Sequence, residues 1–444
     1  MGRCWRQMKK MWPLAATLFS LSVLAYHVIL QRFVSFTDCS YGQLSLDSDQ
    51  VKLKRSLLAA GVDEIETDPT FAQVVHSIPE ISEQALFESM KLKNLKIYVY
   101  KLPAIFNEDQ VKLNARRPPK IWDPNCTANF YSAEYSLHHF LLTSKYRTFD
   151  PWEADFFYVP AYSCCFLINN HPNNLTKTAI FHYKLLRHIR NDYPYFNLSQ
   201  GRDHIWAFTQ GFGAKMFGDW RQINNGIFLV HNGQFTLDEF TPHKDLTIPP
   251  DLTGYNFPSV YDIPPSERLE RKWLGHFGGT VLPINLTDER GSHYSKGVRQ
   301  YIKENFSKDP SFRITGTRVT SYIEDMMSST FCLCPEGWHA WNPRPYQAVL
   351  LGCIPVLLSE EIELAFEEMI DYSKFMIRVH PQDVSKLKSI LIAVPEYEVE
   401  AMRREMERIW RLFSYGPHGL APHMIMKALA RRKTPQHIQR SYKD

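Results

Sequence analysis

The sequence predicts an α/β protein with two domains, preceded by a single transmembrane helix and a stem. Strand patterns alternate with helix patterns between residues 95 and 400, which is typical of a mostly parallel sheet with helices on both faces. The clearest unit is Thr330–Leu358, where a strand, a loop, a helix and a second strand follow one another. An uncharged apolar segment, Met11–Leu30, supplies the membrane-spanning helix.

The composition is that of a globular protein. Of the 444 residues, 44% are hydrophobic and 22% are charged, which excludes a disordered chain. The net charge is only +4 and the basic residues are scattered, so we expect no nucleic-acid partner. Aromatic residues make up 14% of the chain. Among them, Trp338 and Trp341 flank His339 in a predicted loop, where stacking on a ligand and packing in the core are both open.

The N-terminus has the pattern of an uncleaved signal-anchor. Met11–Leu30 carries no charge, and about 20 helical residues span the ~30 Å hydrocarbon core of a bilayer. Residues 1–10 are basic, which keeps this tail cytosolic and places the rest of the chain in a lumen. A cleaved signal peptide is the alternative, although a clear cleavage site is missing. Residues 31–94 form the predicted stem; Asp47-Ser48-Asp49 within it matches a metal-binding pattern, but we expect solvated carboxylates and no metal.

A lumenal location predicts oxidised cysteines and N-linked glycans. We expect Cys126 to form a disulfide with either Cys164 or Cys165, because all three lie in loop-like segments. Three further cysteines fall in strands predicted to be buried, where we expect free thiols that pack as small hydrophobic side chains: Cys332, Cys334 and Cys353. Glycosylation sequons occur at Asn125, Asn174, Asn197, Asn285 and Asn305.

The first domain, residues 95–270, is predicted from four strands with helical segments between them. The strands are Lys96–Tyr100, Glu153–Tyr162, Asp203–Thr209 and Gly226–His231, and the first helix is Asn129–Leu142. A glycine loop, Gly211–Gly213, follows the third strand. The loop is weak evidence alone, since the next glycine falls at the wrong spacing for a dinucleotide fingerprint.

The second domain, residues 271–400, repeats the alternation. Its predicted strands are Lys272–Gly278, Phe312–Thr315, Thr330–Cys334, Cys353–Leu358 and Phe375–Val379, with helices at Tyr294–Phe306 and Tyr322–Ser329. An amphipathic helix, Glu396–Phe413, and a last helix, Met424–Leu429, follow. We expect residues 401–444 to pack back on the first domain.

The predicted chemistry lies in the loop and helix inside Thr330–Leu358. Pro343 suits the first turn of a helix, and Gly352 suits its end. In a parallel unit of this kind, ligands bind outside the carboxyl ends of the strands, where unpaired N–H groups of the helix attract phosphate. The planar fork of Arg344 suits a diphosphate, and Gln347 shares its helix face. A solvated arginine in an ordinary unit is the alternative.

Several blocks resemble the exostosin-like glycosyltransferases, glycosyltransferase family 47. The segments FCLCPEGW, NPRPYQA and GCIPVLL resemble the nucleotide-sugar segment of that family, and EADFFYVPAY resembles its plant branch of xylan-synthesising enzymes. The resemblance implies a GT-B fold, in which two Rossmann-like domains face each other across a cleft. It further implies inverting transfer from a UDP-sugar to a glycan or glycoprotein acceptor, without a catalytic metal, at the Golgi membrane and in polysaccharide synthesis.

The same resemblance assigns residues to the two sides of the cleft. The donor-binding positions it implies are Gly278, Gly279, Lys296, Arg299, Gly337, Arg344 and Gln347, and the acceptor side is His204, Gly211 and Gly213. Glycines let backbone N–H groups approach phosphate oxygens. Lys296 and Arg299 stand one turn apart on the predicted helix, where a solvated basic face is the alternative.

Two departures from the family pattern affect this assignment. Relatives show a His-Asp pair where this chain has Gln210-Gly211, and an acidic residue is the natural base for inverting transfer. Asp155, Asp203 and Asp219 are the remaining acidic candidates; a structural role is the alternative for each, and Asp203 is the first choice as base. Relatives also commonly carry Glu, suited to ribose hydroxyls, in place of Gln347. Both departures favour the alternative of a weak or inactive subunit that scaffolds a polysaccharide synthase complex with other glycosyltransferases.

Overall fold

The computed structural model describes most of the chain between residues 95 and 433. The described residues are 95–116, 125–170, 174–255, 257–282, 294–317, 319–416 and 418–433. The predicted cytosolic tail, membrane segment and stem lie outside them, as does the sequon asparagine Asn285. No helix within the described residues is long and apolar enough to cross a membrane.

The first domain is built on a six-stranded sheet. The described residues of this domain hold seven strands: β1 (Ile97–Val99), β2 (Arg147–Thr148), β3 (Phe156–Val159), β4 (His204–Phe208), β5 (Ile227–Val230), β6 (Gly233–Gln234) and β7 (Leu246–Thr247). All except β6 belong to the sheet, in the order β2-β1-β3-β4-β5-β7, and every neighbouring pair is parallel. The helices are α1 (Glu108–Ala115), α2 (Ala133–Thr143), α3 (Ser163–Asn169), α4 (Leu175–Asp192) and α5 (Tyr195–Ser199).

The predicted strands of this domain are present but shorter. Strands β3 and β4 are buried at every residue, which agrees with their continuous apolar runs. The predicted strand Glu153–Tyr162 is observed only as β3, Phe156–Val159, because residues Pro151–Glu153 form a 3₁₀ turn before it. Pro160 ends the strand, since proline has no N–H for the ladder.

The second domain is built on a five-stranded parallel sheet. Its part of the chain holds β8 (Trp273–Gly278), β9 (Phe312–Thr315), β10 (Ser329–Pro335), β11 (Ile354–Leu358), β12 (Ile362–Glu363) and β13 (Ile377–Arg378). The helices are α6 (Val298–Phe306), α7 (Tyr322–Met327), α8 (Arg344–Leu350), α9 (Leu387–Ile392), α10 (Glu396–Ile409) and α11 (Ala421–Arg431). The predicted α/β class with parallel sheets is therefore confirmed.

The chain changes direction across the second sheet between β8 and β10. The sheet order is β13-β11-β10-β8-β9, so the connection from β8 runs to one side and the connection from β10 runs to the other. At such a switch point the loops after the two strands diverge and leave a crevice at the carboxyl edge. Gly278 ends β8 and Pro335 ends β10, so both glycine-containing loops that follow border this crevice.

A strand pairing and the C-terminal segment join the domains. Strand β6 pairs with β12 as an antiparallel ribbon, in which Ile362 lies opposite Gln234. The segment after α11 returns to the first domain, where Arg432 Nη2 donates to the Asp245 carbonyl at 2.7 Å. Lys433 Nζ lies 2.6 Å from Asp155 Oδ1. The C-terminal segment therefore packs on the first domain.

Two disulfides stabilise the described residues. Cys126 is joined to Cys165 and not to Cys164, which selects one of the two pairings left open by the sequence. The expectation of free thiols at Cys332 and Cys353 is wrong, because these residues form the second disulfide. Cys353 precedes β11, whose neighbour is β10, and the parallel register brings the two Cα atoms to 5.7 Å. Cys334 is a buried free thiol.

Candidate active site between the two sheets

A cavity of about 900 Å³ opens between the two domains at the carboxyl ends of their strands. The first domain contributes Phe130, Tyr131 and the loop Gln210–Phe212, which follows β4. The second domain contributes the loops after β8 and β10 and the start of α8. The cavity is large enough for a sugar nucleotide, because pockets that bind small molecules and cofactors have volumes of about 300–1,000 Å³.

The structure brings most of the predicted donor-side residues together here. Those that line the cavity are Gly278, Gly279, Arg299, Gly337, Arg344 and Gln347, whereas Lys296 does not. On the acceptor side Gly211 lines the cavity, but His204 and Gly213 are buried elsewhere in the first domain.

Arg344 stands at the crevice with its guanidinium held in place. Its Nε and Nη2 donate to the Gly278 carbonyl at 3.3 and 3.0 Å, and the group lies 5.0 Å above the Phe277 ring. Gly279 backs the guanidinium so closely that any side chain there would overlap Nη2. A guanidinium has five N–H donors, so this arrangement leaves donors for an anion in the cavity.

The start of α8 contributes less than the sequence predicts. The helix has only 7 residues, and the Arg344 backbone N–H already donates to Asn342 Oδ1 at 3.1 Å. Because this N–H group is satisfied within the protein, the positive character of the site comes from the Arg344 side chain and not from the helix end.

Arg299 ties the two glycine loops together. It is 5% exposed, and its Nε donates to the Glu336 carbonyl at 2.8 Å. Its Nη1 donates to the Thr280 carbonyl at 3.1 Å, which links the loop after β10 to the loop after β8. Burial, assisted by repulsion from Arg344, lowers the pKa of Arg299 to about 9. The residue stays protonated at neutral pH and positions the cavity walls.

The prediction that Lys296 and Arg299 share one helix face is wrong. Residues Tyr294–Gly297 form a 3₁₀ turn in which Lys296 itself is left-handed, with φ 47°, and α6 begins only after it. The turn directs Lys296 away from the cavity, where its Nζ lies 3.3 Å from Glu336 Oε1. Lys296 therefore acts on the loop after β10 through Glu336.

Gln347 lies in the wall of the cavity and is only 2% exposed. Its Oε1 accepts a hydrogen bond from the Tyr322 hydroxyl at 2.8 Å. Burial raises the pKa of Tyr322, so the hydroxyl keeps the proton that it donates. The one acceptor oxygen of the amide is therefore used inside the protein.

Asp203 lies far from the cavity, and the structure does not support it as the base. It precedes β4, whereas the cavity loop follows β4, and a five-residue strand spans roughly 16 Å. Its Oδ1 accepts from Ser199 Oγ at 2.6 Å and lies 2.7 Å from His204 Nδ1. His204 Nε2 in turn lies 2.7 Å from the Tyr100 hydroxyl. Asp203 and His204 are therefore part of a buried structural network.

The two tryptophans of the loop after β10 differ in their roles. Trp338 is 54% exposed and contacts the Tyr294 ring edge to face at 4.9 Å, so part of its surface faces the cavity. Trp341 is 8% exposed and stacks on His231 at 5.0 Å. Trp338 is thus the one available for stacking on a ligand, while Trp341 is largely a packing residue.

His339 is the functional candidate for which the sequence analysis assigned no role. It follows β10 of the second domain, but its ring contacts Gly211 and lies 5.3 Å from the Phe212 ring of the first domain. No acidic residue is among the described residues that line the cavity. Its position between two tryptophans was the available signal, but only the fold shows which loop it meets.

The described residues contain no group of three or more His, Cys, Asp or Glu side chains placed to hold a metal ion. Among the described residues that line the cavity, the charged side chains are those of Arg299 and Arg344. With the glycine loops at the switch point, they form a site suited to a phosphorylated ligand.

Comparison with known proteins decides the family. Residues 91–394 match the family model described as the exostosin GT47 domain. The chain belongs to the exostosin GT47 family. The resemblance inferred from the motifs is confirmed, and this GT47 protein is a glycosyltransferase related to xylosyltransferases.

Relatives of this GT47 protein cover most of its length. A probable glucuronosyltransferase of Oryza sativa subsp. japonica is 32% identical over 375 residues, 80% of this chain and 86% of the relative. The probable beta-1,4-xylosyltransferase IRX10 of Arabidopsis thaliana is 31% identical over 363 residues, 78% of this chain and 84% of the relative. Among solved structures, a crystal structure of TarM is 9% identical with a TM-score of 0.30, covering 58% of this chain and 59% of TarM.

Proposed function

We propose that this GT47 protein transfers a sugar from a UDP-sugar to a hydroxyl of a glycan or glycoprotein acceptor, with inversion at the anomeric carbon. The observation that carries the proposal is the placement of Arg344 beside Gly278 and Gly279 at the switch point of the second sheet. This guanidinium faces a cavity that the first domain closes from the other side. The two relatives, a probable xylosyltransferase and a probable glucuronosyltransferase, support synthesis of a xylan-like wall polysaccharide.

In the proposed mechanism the protein supplies charge and position. Arg344 stabilises the negative charge that develops on the departing diphosphate, and Arg299 holds the two glycine loops that shape its site. Gln347 lines the same wall, and Trp338 offers an exposed ring for stacking on the sugar or base. Since Arg344 performs the role of a charge stabiliser, we propose that the reaction needs no metal. EDTA should leave turnover unchanged, and activity that requires added manganese would contradict this part.

A second candidate function is a non-catalytic subunit in a complex with other glycosyltransferases. The observation that favours it is the lack of an Asp or Glu among the described residues that line the cavity. Such a subunit would keep the donor cavity, and so bind UDP, without turnover.

The test is UDP release by the full-length protein in detergent, measured with a panel of UDP-sugars and with xylo-oligosaccharides as acceptors. We expect release from one donor, and a fall of at least about 100-fold in Arg344→Ala, because a charge-stabilising group contributes roughly 3–4 kcal/mol to catalysis. Arg378→Ala is the matched control, since Arg378 lies on β13, pairs with Glu367 and does not line the cavity. UDP binding without release from any donor would favour the scaffold subunit.

We also propose that the protein is a single-pass type II protein of the Golgi membrane with its two domains in the lumen. The exposed sequon side chains Asn125, Asn197 and Asn305 would then be accessible to glycosylation. Asn174 caps α4 by accepting from the Lys177 N–H. In microsomes, endoglycosidase should reduce the mass of the chain, and protease added outside should remove only a short tail. An unglycosylated, fully digested chain would overturn this location.

A further inference from the structure

We propose that His339 is the general base that removes the proton of the acceptor hydroxyl. The proposal rests on the proposed transferase function. It adds the general base, a role for which the sequence provided no residue that lies at the cavity. It is carried by the position of His339 in the cavity and by its contact with Gly211 across the domains.

The chemistry of the cavity wall points to His339. The other titratable side chains among the described lining residues are tyrosines and the two arginines, Arg299 and Arg344. Arginine does not give up its proton in a protein, and neutral tyrosine is a poor base at neutral pH. The Tyr322 hydroxyl, moreover, donates to Gln347. A neutral imidazole has one ring nitrogen that accepts a proton, so it suits the task.

The placement of the ring is equally specific. A Cβ atom at residue 211 would stand 2.6 Å from His339 Cδ2, so the imidazole fills the space that a side chain at Gly211 would need. Phe212 holds the ring from the side at 5.3 Å, in an edge-to-face contact. The His339 carbonyl accepts from the Gly337 N–H at 3.1 Å, which tightens the loop. The motif resemblance implies an acidic residue of relatives at the position of Gly211, and in this chain the imidazole of His339 fills the space beside that glycine.

The surroundings keep the imidazole neutral. Burial lowers the pKa of His339, and the charge of Lys215 lowers it further. Lys215 lies on the 3₁₀ turn Gly213–Phe217 of the first domain, and its Nζ is 3.4 Å from Glu239 Oε1. In the loop of His339 itself, Glu336 is paired with Lys296. At pH 7 the ring is therefore mostly unprotonated and ready to accept a proton.

The step balances without a further reactant. The acceptor oxygen forms a bond to the anomeric carbon as its proton passes to a ring nitrogen of His339. The bond between the anomeric carbon and the diphosphate oxygen breaks, and its electron pair leaves with UDP beside Arg344. The imidazolium then releases the proton to solvent, which restores the base.

The test compares full-length variants with the donor and acceptor found active for the wild type. We expect His339→Ala to lower kcat by at least about 100-fold, within the range of a lost general base, with UDP affinity within about threefold and an unchanged melting temperature. Added imidazole should restore part of the activity to His339→Ala, which a purely structural role would not allow. His380→Ala is the control, because His380 pairs with Glu360 and does not line the cavity.

A double variant tests the exchange of roles between the two positions. In the double variant Gly211→Asp/His339→Ala, removal of the imidazole leaves room for the new carboxylate. We expect this variant to be more active than His339→Ala alone. Its loss of kcat/KM at low pH should move to lower pH than in the wild type, because a carboxylate titrates near pH 4.

The outcomes separate this proposal from the transferase proposal. If the wild type turns over and the kcat of His339→Ala lies within threefold of it, His339 is not the base and the transferase function stands. The same conclusion follows if added imidazole restores no activity to His339→Ala. Absence of wild-type turnover with any donor overturns both.

Discussion

Gly279 lies so close to Arg344 that a Cβ atom built on the glycine would stand 2.1 Å from the arginine Nη2. The same guanidinium donates to the carbonyl of the preceding residue, Gly278. A side chain at residue 279 would therefore have to displace the arginine fork.

We expect Gly279→Ala to displace the Arg344 guanidinium and to weaken UDP binding by about tenfold or more, which corresponds to about 1.4 kcal/mol. Isothermal titration calorimetry with UDP measures the effect. Gly416→Ala is the control, because the nearest atoms to a Cβ there are 3.4 and 3.7 Å away, at ordinary contact distance. Equal UDP affinity in Gly279→Ala and wild type would show that Arg344 does not bind the nucleotide.

Gln347→Glu tests whether this side chain meets the ribose. The amide oxygen of Gln347 already accepts from Tyr322 and has one lone pair left, whereas a carboxylate would add a second acceptor oxygen. We expect the substitution to tighten UDP binding by about 1 kcal/mol. Tyr322→Phe, which removes the competing donor and keeps the ring, should tighten it in the same direction. Weaker binding in both variants would place the ribose elsewhere in the cavity.

The disulfide between Cys332 and Cys353 should stabilise the second domain substantially. The residues are 21 apart in sequence, and a cross-link over a loop of that size contributes about 3 kcal/mol to the free energy of unfolding. We expect the double variant Cys332→Ala/Cys353→Ala to unfold at a clearly lower temperature. Cys334→Ala measures the loss of a buried sulfur from the same strand without loss of a cross-link. A non-reducing peptide map in which residues 332 and 353 are separate would remove the basis of this expectation.

Glu134 should make the stability of the first domain depend on pH. It is fully buried on α2, and its Oε1 accepts from the Cys164 and Cys165 N–H groups at 3.0 and 3.1 Å. Burial outweighs these hydrogen bonds and raises the pKa of Glu134 to about 8. The folded state therefore holds a proton that the unfolded state loses near pH 4.5, so stability from this group falls as pH rises from about 4.5 to about 8.

The expected slope is up to about 1.4 kcal/mol per pH unit, measured by chemical unfolding at several pH values. Glu134→Gln keeps an acceptor oxygen but does not titrate, so its stability should fall less between pH 5 and 8. Parallel pH profiles for the two proteins would contradict the raised pKa.

Most of the secondary structure could be predicted from the sequence because it depends on the pattern of apolar and turn-forming residues that are close together along the chain. The strand Phe312–Thr315 and the turn from β10 into α8 follow from apolar runs and from the prolines and glycine that border them. Element ends were less predictable. The helix expected from Tyr294 begins only at Val298, since two residues before Gly297 take left-handed conformations that no periodicity reveals.

The second-domain side of the cavity was predictable for a related reason. Gly278 ends β8, Gly337 follows β10 closely, and Arg344 begins the helix that follows β10. Parallel strands bring their carboxyl ends to one edge of the sheet. Local sequence and the rule of the parallel sheet are then enough. Asp203 fails by the same rule, because it stands at the other end of its strand.

The sequence by itself determined the α/β class, the family and several of the second-domain residues that line the cavity, because these depend on neighbours along the chain. Only the tertiary structure decided which loops meet across the cavity and which cysteines pair across neighbouring strands. His339 and Gly211 are more than a hundred residues apart, as the numbering shows. Their contact exists because the loops after β4 and β10 meet at the cavity between the two sheets, and that meeting depends on the whole fold and not on any short segment.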